Sequence, residues 1–407
     1  MSECRFCHKP LTRSFVDLGL QPLANSYVPM AKAGQPEARY PLHARVCDSC
    51  LLVQVDHDVP AEAIFSDYAY FSSYATSWVE HARRYVEAMI ERFKLGPKSL
   101  VVEVASNDGY LLQHFKASGI GVLGVEPAAN VALVAEQKGI PSEVAFFNRE
   151  TAERLKAAGK DADLMAANNV MAHVPELNQF IAGFAVLLKP QGVLTVEFPH
   201  LLNLIQQVQF DTIYHEHYSY LSLLAAEKIF AAHGLRVFDV EELPTHGGSL
   251  RLYVSHRSAE HFETVELARI RKIEAAAGLD SLAAYDDFAP RVAAVRDELR
   301  SFLSAAKGDG KKVCAYGAAA KGNTLLNYCG VTAQDITAAY DKNPHKQQHL
   351  LPGSQIPIRG PDAIAVDRPD YLLILPWNLR EEISAEQAQI RSWRGQFITA
   401  IPRLQVF

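Results

Sequence analysis

The chain has 407 residues, which is more than one compact core needs, so two or three domains are expected. Lys and Arg number 40 against 46 Asp and Glu, and this net charge of −6 argues against a broad nucleic-acid-binding surface. No apolar run reaches the roughly 18 residues of a membrane span, and the first ten residues lack the apolar core of a signal peptide. We therefore expect a cytoplasmic protein with no nucleic-acid or membrane partner and no obligatory protein partner.

Four of the six cysteines form two Cys-x-x-Cys pairs near the start of the chain. In a reducing compartment such pairs indicate structural zinc rather than disulfides. Two pairs complete a tetrahedron with no open position, which excludes a catalytic zinc. His8 and His43 lie beside the pairs and offer alternative ligands, but the preferred set is Cys4, Cys7, Cys47 and Cys50.

The first long periodic segment spans 75–93, where apolar residues recur at helical spacing. Buried strands are then predicted at 99–105, 121–127, 163–168 and 192–198, with helices between them. This alternation is typical of a parallel sheet covered by helices. Residues 235–243 and 249–256 read as an antiparallel hairpin at the edge of that sheet.

A second alternating unit follows a helical connector at 262–309. Its strands are predicted near 311–317, 336–341, 371–376 and 396–402. The pattern therefore predicts an α/β protein with two sheet-forming units after the cysteine-bearing segment.

The first sheet unit carries the pattern of a nucleotide-cofactor site. Residues 103–109 follow a strand and open a helix, where small residues let backbone amides approach a ligand. Glu126 ends the next strand, where an acidic side chain suits ribose hydroxyls. The turn has one glycine and carries Asp108, which would repel a pyrophosphate, so a cofactor with ribose and no phosphates is favoured. S-adenosylmethionine fits this description. The alternative is an ordinary α/β turn followed by a glutamate that is there by chance. The residues expected to contact the cofactor are Glu103, Ala105, Asn107, Glu126 and Pro127.

Taken together, the motifs resemble the sugar C-methyltransferase family, which acts on nucleotide-linked 4-keto sugars. The matching pieces cover nearly the whole chain; they are the two cysteine pairs, 67–82, EVASNDGYLL (103–112), 167–177, FDTIYHEHYSYLS (210–222), HGGSLR (246–251), YGAAAKGNTLLNY (316–328) and 340–358.

The resemblance implies a zinc-binding N-terminal domain, a class I methyltransferase (Rossmann-like) middle domain and a second Rossmann-like C-terminal domain. We place these domains at 1–66, 67–260 and 261–407, the last including the helical connector. The resemblance also implies S-adenosylmethionine as cofactor and an active site between the middle and C-terminal domains. The expected reaction adds a methyl to C3 of a nucleotide-linked 4-keto-deoxysugar, in deoxysugar biosynthesis.

Methylation at carbon requires a carbon nucleophile, and loss of a proton next to a ketone supplies one as an enolate. The enzyme then needs a base at that proton and donors at the enolate oxygen. His217 is the preferred base, Glu216 orients an imidazole or binds a sugar hydroxyl, and Tyr214 or His173 donates to the ketone oxygen. The resemblance places catalytic residues on the same four positions. His215 is interpreted as a bystander.

Other candidate residues have a plain structural role as their alternative. Tyr68, Tyr70 and Ser73 resemble a family segment that closes over cofactor and substrate. Phe146, Phe147 and Asn148 are candidates for contact with the adenine of the cofactor, and a role in the core is equally plausible for them. Asn168 and Asn169 are candidates for contact with its methionine portion. On the substrate side the candidates are His246, Arg251, Lys321, Asn323, Lys342 and Asn378.

Two other function classes fit parts of the sequence. Gly317 to Thr324, with Asp341 at the end of the next strand, suggests a dinucleotide site. An NAD-dependent nucleotide-sugar oxidoreductase is therefore one alternative, although a helix N-terminus with Lys321 can instead bind the diphosphate of a sugar nucleotide. The other alternative is a non-catalytic zinc adaptor.

Overall fold

The computed structural model describes residues 2–56, 59, 73 and 76–407. Strands occur throughout these residues. In chain order they are β1 (Arg13–Gln21), β2 (Val28–Pro29), β3 (Tyr40–Val46), β4 (Val53–Val55), β5 (Leu100–Val104), β6 (Gly121–Val125), β7 (Ser142–Glu143), β8 (Ala162–Asn168), β9 (Leu188–Pro199), β10 (Ser219–Tyr220), β11 (Leu235–Leu243), β12 (Ser249–His256), β13 (Val313–Tyr316), β14 (Ala339–Tyr340), β15 (His349–Leu350), β16 (Ile358–Arg359), β17 (Tyr371–Ile374), β18 (Gln396–Thr399) and β19 (Gln405–Val406).

Several helices begin at a residue whose side chain accepts a backbone N–H three residues later, which stabilises the first turn; Asn148, Ser222 and Thr264 do so. Among the described residues, no helix combines the length and the apolar character that a membrane crossing requires. The helices are α1 (Thr76–Phe93), α2 (Leu112–Ala117), α3 (Ala129–Gln137), α4 (Arg149–Ala157), α5 (Leu177–Leu187), α6 (Leu201–Gln206), α7 (Leu223–Ala232), α8 (Val265–Ala276), α9 (Ala283–Asp286), α10 (Phe288–Gly308), α11 (Ala320–Tyr328), α12 (Ala363–Asp367) and α13 (Arg380–Glu386).

The first sheet joins the cysteine-bearing segment to a distant part of the chain. Strands β1, β3 and β4 form an antiparallel ladder, and β4 also pairs with β10. In that last pair Gln54 lies opposite Ser219, and Val53 lies opposite Tyr220. The strand after the second cysteine pair is therefore hydrogen bonded to the strand after Tyr214 and His217.

The central sheet has seven strands in the order β11-β12-β9-β8-β5-β6-β7. Strands β5 to β9 run parallel, with helices between them along the chain. The predicted hairpin is confirmed, since β11 and β12 are antiparallel and β11 ends the sheet. The carboxyl ends of β5, β6 and β8 lie along one edge, which is where ligands bind in such sheets.

The third sheet has the order β16-β14-β13-β17-β18-β19, and its first five strands are parallel. Helices α8, α9 and α10 precede it, which confirms the predicted connector. This is the second Rossmann-like unit that the sequence predicts.

The cysteine-bearing segment and the C-terminal unit are packed against each other. Phe15 of β1 stacks on Phe288 of α10 with ring centroids 4.4 Å apart, and β2 pairs with β15. One core of buried side chains includes residues from β1, α6, α11 and β13. The domain boundaries at 66 and 260 stay predictions.

Candidate active site and zinc site

The four cysteines of the two pairs converge on one point. Their Sγ atoms lie within 4.8 Å of one another, with Cys4 Sγ 3.5 Å from Cys50 Sγ and Cys7 Sγ 3.4 Å from Cys47 Sγ. Gln54 Nε2 donates to Cys4 Sγ at 3.2 Å. Four thiolates at such spacing fit one tetrahedral zinc ion with no position left for water.

The two histidines beside the pairs have other partners. His8 Nε2 lies 3.3 Å from Asn178 Nδ2, and His43 Nε2 lies 2.8 Å from Ser14 Oγ. Neither histidine belongs to the cluster of ligand atoms. The preference for Cys4 over either histidine is therefore confirmed.

The turn after β5 is held by Glu126. Ala105 and Asn107 have left-handed backbones, with φ of 55° and 49°. Glu126 accepts the Asn107 N–H and the Ala128 N–H, each at 2.9 Å. Burial raises the pKa of Glu126 and these two donors lower it. Since each carboxylate oxygen can accept two hydrogen bonds, Glu126 can still accept from ribose hydroxyls.

Asp108 is not an unbalanced charge. Its carboxylate forms a 3.1 Å salt bridge with Lys138, which also donates to Ser73 Oγ at 2.9 Å. Asp108 would therefore repel a pyrophosphate less than the sequence suggests. The argument from its charge against a cofactor with phosphates was wrong. The contact places Ser73 beside the cofactor turn, while Tyr68 and Tyr70 lie outside the described residues.

Buried polar atoms without partners gather where β5 and β8 end. Among the described residues, Glu103 Oε2, Asn168 Oδ1 and both polar side-chain atoms of Asn169 have no hydrogen bond. Burial raises the pKa of Glu103 well above its usual value, despite a hydrogen bond with Tyr110. Each unpaired group costs about 1–3 kcal/mol. The amino and carboxylate groups of a methionine moiety would supply the partners, so these residues fit S-adenosylmethionine.

The segment after β7 is divided between core and surface. The Phe147 ring packs on Phe184 with centroids 4.8 Å apart and is buried, whereas Phe146 is exposed. Asn148 Oδ1 accepts the Thr151 N–H at 2.9 Å and caps α4. These contacts favour the core alternative for Phe147 and a capping role for Asn148.

Tyr214 and His217 form a hydrogen-bonded pair. The Tyr214 hydroxyl lies 2.8 Å from His217 Nε2, and His217 Nδ1 lies 2.8 Å from the Thr212 carbonyl. Because a carbonyl only accepts, Nδ1 carries the proton and Nε2 accepts from the phenol. This arrangement fixes the tautomer in which Nε2 is the proton-accepting nitrogen, and in this structure the Tyr214 hydroxyl occupies it.

The histidines of this site are neutral. Burial lowers the pKa of His217 well below its usual value, and His173, His246 and Lys321 lower it further. Burial also lowers the pKa of His173 to about 4 and that of His246 to about 4. The His173 and His217 ring centroids are 4.6 Å apart. The site therefore presents uncharged imidazoles at neutral pH.

The two residues between Tyr214 and His217 face the N-terminal part of the chain. His215 Nε2 donates to the Pro41 carbonyl at 3.2 Å, which fits its interpretation as a bystander. Glu216 is buried, and its Oε1 accepts from Asn25 Nδ2 at 2.6 Å. Burial raises the pKa of Glu216 and Asn25 lowers it.

His246 and Arg251 differ in their availability to a ligand. His246 keeps an exposed surface although protein atoms surround it, with φ of 54° and its ring 5.7 Å from that of Trp78. Arg251 is 4% exposed and pairs with Glu197 at 3.0 Å and Glu241 at 2.9 Å. Arg251 therefore balances two carboxylates within the sheet, and this pairing favours a structural role over contact with the substrate.

The substrate-side candidates in the C-terminal unit also differ in their contacts. Lys321 Nζ donates to Asn378 Oδ1 at 2.7 Å and lies 5.0 Å from the centre of the Trp377 ring. Asn323 is 1% exposed and donates to the Ala24 carbonyl at 2.6 Å. Lys342 pairs with Glu386 at 2.6 Å on the surface. Only Lys321 and Asn378 of this group share the region of the histidines.

The glycine turn of the C-terminal unit is filled by protein. A Cβ on Gly317 would lie 2.5 Å from the Pro376 ring. Asp341 accepts the Ala318 N–H at 2.7 Å, and the Ala318 carbonyl accepts from the Tyr27 hydroxyl at 2.6 Å. The groups that would hold a dinucleotide are thus engaged, and the geometry gives the oxidoreductase alternative no support.

Sequence reasoning named Trp377 together with Asn378 as a candidate for the nucleotide ligand, but it missed Asn25 and Asp211. Trp377 Nε1 donates to Asp211 Oδ2 at 2.8 Å, and a Cβ on Gly247 would lie 2.4 Å from the Trp377 ring. The signal for Trp377 was its place beside Asn378, directly after a strand. No local pattern marks Asn25, because its partner lies 191 residues away.

Family models match three successive parts of the chain. The "Putative zinc binding domain" model matches residues 4–65, a methyltransferase domain matches 78–240, and the C-methyltransferase C-terminal domain matches 244–402.

The curated relatives agree with these models. The chain is 36% identical over 406 residues to the C-methyltransferase NovU of Streptomyces niveus, covering 100% of this chain and 97% of NovU. It is also 25% identical over 117 residues to the ubiquinone biosynthesis O-methyltransferase of Rhodopseudomonas palustris (strain BisA53), covering 27% of this chain and 46% of that enzyme.

Among solved structures, the chain is similar to magnesium protoporphyrin IX methyltransferase from Synechocystis PCC 6803 with bound SAH. The match covers 44% of this chain and 83% of that enzyme's chain. The sequence identity is 16% and the TM-score is 0.35. The full-length likeness to NovU decides the family. The chain belongs to the C-methyltransferases with an N-terminal zinc-binding domain, and its cofactors are S-adenosylmethionine and zinc.

Proposed function

We propose that this C-methyltransferase adds a methyl to C3 of a nucleotide-linked 4-keto-deoxysugar through an enolate. The observation that carries the proposal is the Tyr214–His217 pair, whose acceptor nitrogen is defined by the bond from Nδ1 to Thr212. A C–H beside a ketone needs a neutral base of this kind. NovU is a C-methyltransferase and covers the full chain, which supports transfer to carbon.

In the proposed reaction the Tyr214 hydroxyl turns from His217 Nε2 towards the developing enolate oxygen, and the freed Nε2 takes up the C3 proton. The phenol stays within hydrogen-bond reach of the developing enolate oxygen or of the passing proton. Bound S-adenosylmethionine supplies the methyl group. Glu216 orients a sugar hydroxyl, and His173, whose ring is bonded to the Glu216 backbone, fixes the position of that residue. These roles for His217, Tyr214, Glu216 and His173 are our assignments.

Lys321 and Asn378 are proposed to bind the sugar nucleotide, with Lys321 near the diphosphate and His246 near the sugar. Burial lowers the pKa of Lys321, and Asp211 opposes that shift. A desolvated ammonium attracts an anionic ligand more strongly than a hydrated one. Lys321 lies beside Trp377 and close enough to His217 and His246 to lower the pKa of both imidazoles.

Zinc is proposed to act in folding rather than in chemistry, because the four thiolates leave no open position. We expect about one equivalent of zinc per chain and loss of the N-terminal fold when Cys47→Ser removes a ligand. Metal analysis with circular dichroism checks this, and Cys329→Ala, a buried cysteine outside the cluster, is the control. A metal-free chain with an intact N-terminal fold would contradict it.

Glu126 is proposed to bind the ribose. Glu126→Gln keeps the size of the side chain but removes the charged acceptor, so affinity for S-adenosylmethionine should fall about 10- to 100-fold. Calorimetry should show keto-sugar binding near normal, and Glu143→Gln, the next carboxylate along the edge, should bind cofactor like wild type. Unchanged cofactor affinity in Glu126→Gln would place the ribose elsewhere.

His217→Asn tests the base. The amide has a similar reach but cannot take up a proton at neutral pH, so the variant should bind both ligands yet lose exchange of the C3 hydrogen with deuterated water by about 10²–10⁴-fold. Mass spectrometry follows the exchange, and His215→Asn, which can still donate to Pro41, is the control. Exchange at the wild-type rate in His217→Asn would reject His217 and direct attention to His173 or Tyr214.

A further inference from the structure

The segment from Pro22 to Pro29 runs from the zinc-bearing sheet to the catalytic residues. Both of its ends are fixed by the C-terminal unit. Asn323 Nδ2 donates to the Ala24 carbonyl at 2.6 Å, and the Tyr27 hydroxyl donates to the Ala318 carbonyl at 2.6 Å. Strand β2 then pairs with β15. Asn25 therefore lies between two anchored neighbours.

Asn25 meets Glu216 from this segment. Asn25 Nδ2 donates to Glu216 Oε1 at 2.6 Å. Asn25 is itself exposed, whereas Glu216 is 6% exposed. An exposed residue thus supplies the hydrogen-bond donor to a buried carboxylate.

The groups around Glu216 do not replace this donor. The ring of His173 is bonded to the backbone of Glu216, and the lowered pKa values of His173 and His217 leave both rings uncharged at neutral pH. Tyr27 faces Glu216 with a pKa raised by burial and by the carboxylates of Asp341 and Glu216. Among the described residues, the titratable groups that face or flank Glu216 include Tyr27, His173, Tyr214, His215 and His217, with Asp341 and Lys346 beyond Tyr27.

We propose that Asn25 is a positioning residue of the active site, which orients the Glu216 carboxylate and keeps it ionised for its contact with the sugar. The inference rests on the function proposed above. In this proposal the zinc-bearing part of the chain contributes a residue to the active site, besides forming its own fold. A hydrogen bond to a carboxylate in a desolvated place favours the ionised form, because the donor replaces lost water.

Two variants give opposite pH signatures. Asn25→Ala removes the donor, so Glu216 should take up a proton at a higher pH, and kcat/KM relative to wild type should fall as the pH is lowered. Asn25→Asp places a second carboxylate beside Glu216, so the pair should share one proton on acidification. The ratio to wild type should therefore rise as the pH is lowered. At neutral pH each variant should lose about 10- to 100-fold.

Ser26→Ala is the matched control, since Ser26 lies in the same turn and is exposed. It should match wild type at every pH. All three variants should keep their zinc and their affinity for S-adenosylhomocysteine. Losses in Asn25→Ala and Asn25→Asp that are equal at every pH would show a merely structural role and overturn the proposal.

A titration that needs no substrate separates this inference from the proposed function. Carbon-13 NMR of labelled glutamate carboxyls, with Glu216→Gln for assignment, should show a higher pKa for Glu216 in Asn25→Ala than in wild type. An unchanged Glu216 titration would overturn the role of Asn25 even if the enzyme methylates a keto-sugar. Failure of wild type to act on any nucleotide keto-sugar would overturn the function and leave this titration valid.

Discussion

The segment from Phe210 to Tyr220, which carries the proposed catalytic residues, is short and is held from three sides by hydrogen bonds. Trp377 of the C-terminal unit donates to Asp211, and Thr324 Oγ1 donates to the Ile213 carbonyl at 3.0 Å. Beyond His217 the segment continues as β10, which pairs with β4 of the zinc-bearing sheet. A stretch with so little regular structure of its own can keep one conformation only because its neighbours satisfy its polar groups.

The same packing explains the electrostatics of the site. His217 and His246 lie close to Lys321, His173 lies close to both of these histidines, and desolvation lowers the pKa of all three imidazoles. A cluster of neutral imidazoles beside one ammonium can accept a proton and bind an anion without collecting excess positive charge. Of the two acidic side chains, Asp211 accepts from Trp377 and from backbone amides, and Glu216 accepts from Asn25. Both carboxylates thus receive a donor from a distant part of the chain.

Local sequence patterns predict much of this architecture. The alternating strands, the edge hairpin and the helical connector follow from periodicity, and the four cysteines follow from their spacing. The sequence also marks Glu126 as a candidate ribose ligand, because an acidic residue at the end of the second strand is a local pattern. The Tyr214 to His217 cluster is visible because its members are adjacent in sequence.

Contacts between distant segments leave no such mark. In the sequence Asp108 has no nearby positive charge, but in the structure it pairs with Lys138. Arg251 likewise pairs with Glu197 and Glu241, which lie on other strands. Lys342 and Asn323 sit in a plausible motif, yet one pairs on the surface and the other anchors the N-terminal segment. Asn25 reaches Glu216 through tertiary packing, which periodicity and motif spacing do not encode.

Enolisation at C3 is the central claim, and it can be measured apart from methyl transfer. Wild-type enzyme is incubated in deuterated water with S-adenosylhomocysteine and a panel of nucleotide-linked 4-keto-6-deoxysugars, and the C3 hydrogen is followed by NMR. We expect enzyme-dependent exchange at C3 for at least one member of the panel, and methylation of that same carbon when S-adenosylmethionine is supplied. Methylation of the sugar at another atom, or no C3 exchange with any member, would contradict it.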